Sequence, residues 1–168
     1  PATGISRLAH PVILRYEELE LLARTAVGLG IEKIRVTGGE PLVRKGIVPF
    51  LATLADIPGL KRLVLTTNGS RLAEMAGALR CAGVESLNIS IDSLRHAAFA
   101  RITRGGELQQ VLAGLAAAEK AGFPYLKLNV VVMRGVNDNE LLDFVDLIRE
   151  RPFQLRFIEY MPVTRESG

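Results

Sequence analysis

The chain has 168 residues, a net charge of +3, 48% apolar and 23% charged side chains, the proportions of one soluble globular domain with a real core. The apolar run Leu126–Met133 is interrupted by Lys127 and Asn129 and is far too short to cross a bilayer, so no membrane partner is expected. Dispersed basic residues and only 5% aromatics exclude a stacking groove for nucleic acid, while small anionic ligands stay open. A single cysteine, Cys81, excludes an internal disulfide framework, and Pro1–Leu8 lacks the charged leader and apolar stretch of a secretory signal. Both point to a reducing cytoplasm.

Helical periodicity alternates along the chain with short β-prone runs. In order, the pattern predicts a helix over Tyr16–Gly30, a strand over Lys33–Thr37, a helix over Ile47–Ile57 and a strand over Arg62–Thr67. There follow a helix over Arg71–Gly83, a strand over Ser86–Ile91, and helices over Leu94–Ile102 and Glu107–Gly122. A strand over Tyr125–Met133, a helix over Asn139–Arg151 and a strand over Gln154–Tyr160 complete the series. Leu108, Val111, Leu112, Leu115 and Ala118 give the clearest helical stripe, closed by Gly122. Repeated alternation means parallel strands joined by helical crossovers. No linker divides the chain, so residues 1–168 are expected to form a single domain.

The strands carry polar residues at every second position. Arg35 and Thr37 share a face, as do Asn88, Ser90 and Asp92, and as do Lys127 and Asn129. Ile34 and Val36, then Leu87, Ile89 and Ile91, then Leu126, Leu128 and Val130 lie on the other face. A doubly wound sheet would bury those polar faces under helices at about 1–3 kcal/mol for each unsatisfied group. A barrel with a polar ligand in its lumen avoids that cost. Five strands cannot close an eight-stranded barrel, so the expected fold is α/β: a partial, incomplete TIM-type β/α barrel. Its first strand should present an open edge.

Thr37-Gly38-Gly39-Glu40-Pro41 leaves the first strand toward a helix; its glycines allow either close backbone approach by a ligand or a positive φ. A bare Gly-Gly pair more often marks a tight strand-to-helix turn, and the spacing is not that of a Walker loop. Thr66-Thr67-Asn68-Gly69 and Ser90-Ile91-Asp92-Ser93 end the next two strands; each alone reads as a turn or cap, but together they occupy the strand ends where barrels build active sites. The cations Arg35, Lys127 and Arg156 lie within strands, and their convergence on one lumen points to a phosphate-bearing ligand. Arg44 and Lys45 read as surface charges at a helix entry. His10 and His96 lack metal-ligand spacing, and Cys81, beside Ala78 and Ala82, reads as packing.

Three segments resemble the radical S-adenosylmethionine (SAM) GTP 3′,8-cyclases of molybdenum cofactor biosynthesis: Lys33 to Leu42, Leu65 to Gly69 and Leu87 to Ser93. The likeness continues through Lys127-Leu128-Asn129-Val130-Val131, Gly135-Val136-Asn137-Asp138 and Arg156-Phe157-Ile158-Glu159-Tyr160-Met161-Pro162, and so covers nearly all of the chain from Ile13. The resemblance implies a radical SAM barrel that converts GTP to 3′,8-cyclo-7,8-dihydro-GTP with SAM and two [4Fe–4S] clusters, in a family whose members are expected to be homodimers. It implies SAM contacts at Gly39, Ser90 and Met161, and GTP contacts at Arg35, Thr66 and Lys127. The family's cluster cysteines are missing. The chain is therefore expected to be cut at both ends and inactive alone. A different substrate, or a cluster-free nucleotide-binding module, are the alternatives.

Overall fold

The computed structural model describes residues 13–161; Pro1–Leu8, His10 and Pro162 lie outside them. Five parallel strands form one sheet in chain order: β1 (Lys33–Val36), β2 (Arg62–Thr67), β3 (Ser86–Ser90), β4 (Tyr125–Val132) and β5 (Phe153–Glu159). Among the described residues six α-helices accompany them: α1 (Tyr16–Gly28), α2 (Ile47–Ala55), α3 (Leu72–Cys81), α4 (His96–Thr103), α5 (Leu108–Lys120) and α6 (Leu141–Ile148). A doubly wound sheet reverses its order at a switch point, and this one does not. Sequential order with helical crossovers is the arc of a β/α barrel, as the alternating polar face predicts.

Helices α1, α3 and α5 stop short of the glycines that the sequence pattern includes in them. Gly30, Gly83 and Gly122 adopt φ of 97°, 84° and 69°, and their amides bond to Val27, Arg80 and Glu119. They close the helices in the left-handed region instead of extending them. The predicted helix at Asn139 begins later: Asp138–Glu140 form a 3-10 turn and α6 starts at Leu141. The cause is Glu140, whose fully buried carboxylate turns inward to the loop after β3.

Leu63, Leu65, Leu87, Ile89, Leu126 and Leu128 bury one sheet face against Leu51, Leu54, Leu72, Leu79, Val111 and Leu115 of α2, α3 and α5. Cys81, expected to pack, is exposed at the last position of α3. Its neighbour Ala82 takes the buried place, because the helical period turns position 81 to solvent. His96 is exposed as the first residue of α4.

α3 and α5 meet at a glycine. A Cβ on Gly114 would lie 2.6 Å from the carbonyl oxygen of Gly69 and 2.9 Å from Leu72 Cβ. Gly77, within α3, has no atom within 4 Å of such a Cβ. Helix propensity alone favours alanine at both by roughly 0.5–1 kcal/mol. Gly77→Ala should therefore raise stability by about that amount, while Gly114→Ala should lower it by about 1–3 kcal/mol through overpacking. Urea denaturation of the pair checks the packing, and equal stabilisation by both would contradict it.

Candidate functional site

The register lines up the polar face in rows. Arg35, Val64, Ser86 and Tyr125 form one; Thr66, Asn88, Lys127 and Gln154 form the next; Ser90, Asn129 and Arg156 form the third. A cavity of about 120 Å³ opens on this face beside Lys33, Arg35, Arg62, Asn88 and Lys127. Buried Asn88 reaches across its row, its Nδ2 3.4 Å from Thr66 Oγ1. The Asn129 Oδ1 atom is buried without a hydrogen-bond partner, an unusual cost for a native side chain.

At the strand positions of this face, among the described residues, charge has one sign. Lys33, Arg35, Arg62, Lys127 and Arg156 form no ion pair among the described residues, and the Arg62 guanidinium lies 5.4 Å from the Tyr125 ring centre. Desolvation, and then the nearby Arg156, Lys33, Arg35 and Arg62, hold the Lys127 ammonium below its ordinary value of 10.5. The face solvates its arginines by staying open: Arg35 and Arg156 are exposed and Lys127 is half-buried. Among the described residues no acidic partner relieves the repulsion.

The strand ends form a rim held by side chains. Glu40 Oε1 accepts from Leu42 N at 3.0 Å and Thr67 Oγ1 at 2.8 Å, and Oε2 accepts from Asn68 N at 2.6 Å. Its carboxylate thus ties the turn after β1 to the end of β2. Gly38 and Gly39 are not left-handed, contrary to one use expected of them, and a Cβ on either would meet nothing within 4 Å. Gly69 of the rim is left-handed, φ 78°, and a Cβ there would crowd Val111 and Ile89 at 3.0 and 3.1 Å. At β4, Asn137 is 1% exposed; its Nδ2 donates to Asp92 O at 2.6 Å and Val131 O at 2.8 Å, and its Oδ1 accepts from Met133 N at 2.7 Å. Glu140 accepts from Ser93 Oγ at 2.8 Å and Leu94 N at 2.7 Å. The Gly135-Val136-Asn137-Asp138 turn is therefore a clasp between β3 and β4.

The structure brings Arg35, Thr66 and Lys127 onto one face, in adjacent rows. Gly39, Ser90 and Met161 sit at or beyond the carboxyl ends of β1, β3 and β5, and the cavity that Gly39 lines includes neither Ser90 nor Met161. Gly39 lines a cavity of about 260 Å³ beside Tyr16 and Arg44, and Met161 is 70% exposed. Lys45 is exposed as predicted, whereas Arg44 is half-buried: its Nη2 donates to Leu14 O at 2.6 Å, and it stacks 4.2 Å from the Tyr16 ring centre. Sequence reasoning missed Lys33 and Arg62, although the two-residue alternation through Arg35 and Val64 places both on the cationic face.

A family model of the radical SAM superfamily matches residues 4–148. The GTP 3′,8-cyclase of Geobacter sulfurreducens is 65% identical over 168 residues, with 100% of this chain and 52% of the relative covered. That of Moorella thermoacetica is 51% identical over 163 residues, covering 97% of this chain and 50% of the relative. The chain thus spans about half the length of the curated relatives it matches. The structure of native anSMEcpe with bound AdoMet superposes with a TM-score of 0.75 at 19% identity, over 98% of this chain and 48% of that one. Coproporphyrinogen III oxidase (HemN) from Escherichia coli gives 0.65 at 15% identity, over 85% of this chain and 36% of its own. At such identities the likeness establishes the fold, the partial barrel.

The three bonds to Glu40 make it the rim's anchor. Glu40→Ala would leave the amide of Asn68 and the hydroxyl of Thr67 unpaired and should cost about 1–3 kcal/mol. Thermal unfolding measures the loss, and a double-mutant cycle with Thr67→Val should give a coupling above about 0.5 kcal/mol. Strict additivity would mean that the bridge carries no energy.

Proposed function

The chain belongs to the radical SAM superfamily, and from that premise we propose that it is the central part of the barrel of a GTP 3′,8-cyclase acting in molybdenum cofactor biosynthesis. The observation that carries this reading is the inner face, where Lys33, Arg35, Arg62, Lys127 and Arg156 stand without an acidic partner among the described residues. Such a face matches a triphosphate and repels a cationic substrate. Arginine forks and a lysine point charge together suit phosphate oxygens. Thr66, in the row of Lys127, offers a hydroxyl to the same ligand. The 65% identity to a GTP 3′,8-cyclase supports the choice of GTP.

S-adenosylmethionine fits the rim. Open space against Gly38 and Gly39, the hydroxyl of half-buried Ser90 and the orphaned Asn129 Oδ1 are what a ligand seated there would use. Met161 adds a flexible apolar contact beyond β5. When bound, that cofactor supplies a sulfonium whose reductive cleavage yields a radical. The chain's own residues bind and orient: the cations hold the triphosphate below, and Gly39 and Ser90 hold the cofactor at the rim. A [4Fe–4S] cluster does not fit, because cluster ligation requires several thiolates and the sequence has only exposed Cys81. In this reading the ligands of two such clusters belong to the part of the relatives' length that the chain does not match, residues 1–168 are one domain, and the whole protein is a cytoplasmic homodimer.

In the full-length protein, reconstituted anaerobically and reduced, SAM cleavage to 5′-deoxyadenosine should require GTP and yield 3′,8-cyclo-7,8-dihydro-GTP. Cleavage indifferent to GTP would identify a radical SAM enzyme of other substrate, and no cleavage would remove the assignment. Inorganic triphosphate tests the face alone. A bound polyanion favours protonated Lys127, so affinity is full below that residue's depressed pKa and falls as pH rises through it, before the ordinary lysine value of 10.5. Lys127→Met should weaken binding about tenfold and flatten this alkaline limb, and affinity should drop with added salt.

A further inference from the structure

Every charged strand position on the inner face, among the described residues, is basic: Lys33, Arg35, Arg62, Lys127 and Arg156. The first acid met along that face is Asp92, two residues past Ser90. Ile91 between them is buried on the helix side, and its amide still bonds to Asn129 O at 3.0 Å, so the backbone alternation carries Asp92 to the face of Ser90. Asp92 Oδ1 accepts from Val131 N at 2.8 Å just beyond the last β3–β4 pair, and its carbonyl oxygen is held by Asn137 Nδ2 at 2.6 Å. The residue is thereby held through its backbone carbonyl and through one carboxylate oxygen.

Nothing in the described chain uses its charge. No cation lies within ion-pair distance, and Oδ2 has no hydrogen-bond partner. Burial raises the carboxyl above the ordinary aspartate value, only partly offset by the Val131 amide. A side-chain amide would satisfy Val131 equally well, without the cost of a half-buried, unpaired charge. No group of three or more metal-ligating side chains includes it among the described residues.

We infer that Asp92 is the counter-charge for a cationic ligand seated at the carboxyl ends of β3 and β4. The inference rests on the functional reading above, in which that ligand is S-adenosylmethionine and its cation is the sulfonium. Arg156 is level with Ser90, while Lys127, then Arg35, then Lys33 and Arg62 lie one, two and three rows below, about 7–20 Å along the strands, and these cations repel a sulfonium there. One oriented carboxylate beside Ser90 offsets that repulsion where the cofactor sits. Asp92 is in these terms a positioning and specificity residue: it selects the sulfonium over a neutral thioether of the same shape.

Equilibrium dialysis of the full-length, anaerobically reconstituted protein against SAM and against S-adenosylhomocysteine tests it, since the two differ in one methyl group and its charge. Asp92→Asn keeps an acceptor for Val131 and should weaken SAM about tenfold while changing S-adenosylhomocysteine less than about threefold. Its unfolding temperature should be no lower than the parent's, because the substitution removes a charge that burial disfavours. Equal weakening of both ligands, or unchanged SAM affinity, would overturn the inference and leave the functional reading standing. A variant that melts lower and loses both ligands would make Asp92 merely structural, again against the inference. Parent protein that binds neither ligand would overturn the inference and the functional reading together.

Discussion

A parallel sheet with leucines on one face and cations on the other can be covered on only one side. Bringing Arg35, Lys127 and Arg156 under a second helical layer would strand unpaired charges in low dielectric, at several kcal/mol each. The helices therefore gather over Leu63, Leu87, Ile89 and Leu128, and the polar face is left for water and ligand. Sheet order, the open lumen and the position of the candidate site all descend from that asymmetry. The same two-residue period that makes the core makes the site.

An open polar face creates a second requirement, for the strands must stop and turn without leaving buried amides unpaired. The chain meets it with side chains. Glu40 takes the donors at the end of β2, Asn137 bridges β3 and β4, and Glu140 serves the loop after β3. Within Gly38-Gly39-Glu40-Pro41 the labour divides: the glutamate is consumed by the fold, while the glycines leave room that the fold does not use. A motif can be conspicuous in sequence for two unrelated physical reasons at once.

Alternation and helical period are local properties, which is why the elements, the parallel sheet and both faces were legible in the sequence. Arg35, Thr66 and Lys127 reached one face because face membership depends only on strand parity. What stayed hidden depends on distant partners. Arg44 reads as a surface charge until Leu14 and Tyr16 are brought to it, and Glu140 reads as a helical residue until Ser93 arrives beneath it. Cys81 was misassigned for a narrower reason: one step along a helix turns a side chain by about 100°, and Ala82 rather than Cys81 faces the core. Lys33 and Arg62 needed only the parity rule carried two residues further.

The five cations differ in what they demand. Arg35, Arg62, Lys33 and Arg156 reach solvent, where water and salt screen most of their mutual repulsion. Lys127 sits between them, half-buried, with desolvation and all four neighbours acting against its charge. Its energy is consequently the most responsive to an arriving anion, because the anion removes both penalties together. A lysine suits this position better than a fourth arginine: the pKa of an ammonium shifts readily with its surroundings, whereas a guanidinium stays charged. The face is thus stable enough to exist without ligand and unsatisfied enough to bind one, and the residue that sets this balance is on the central row of the sheet.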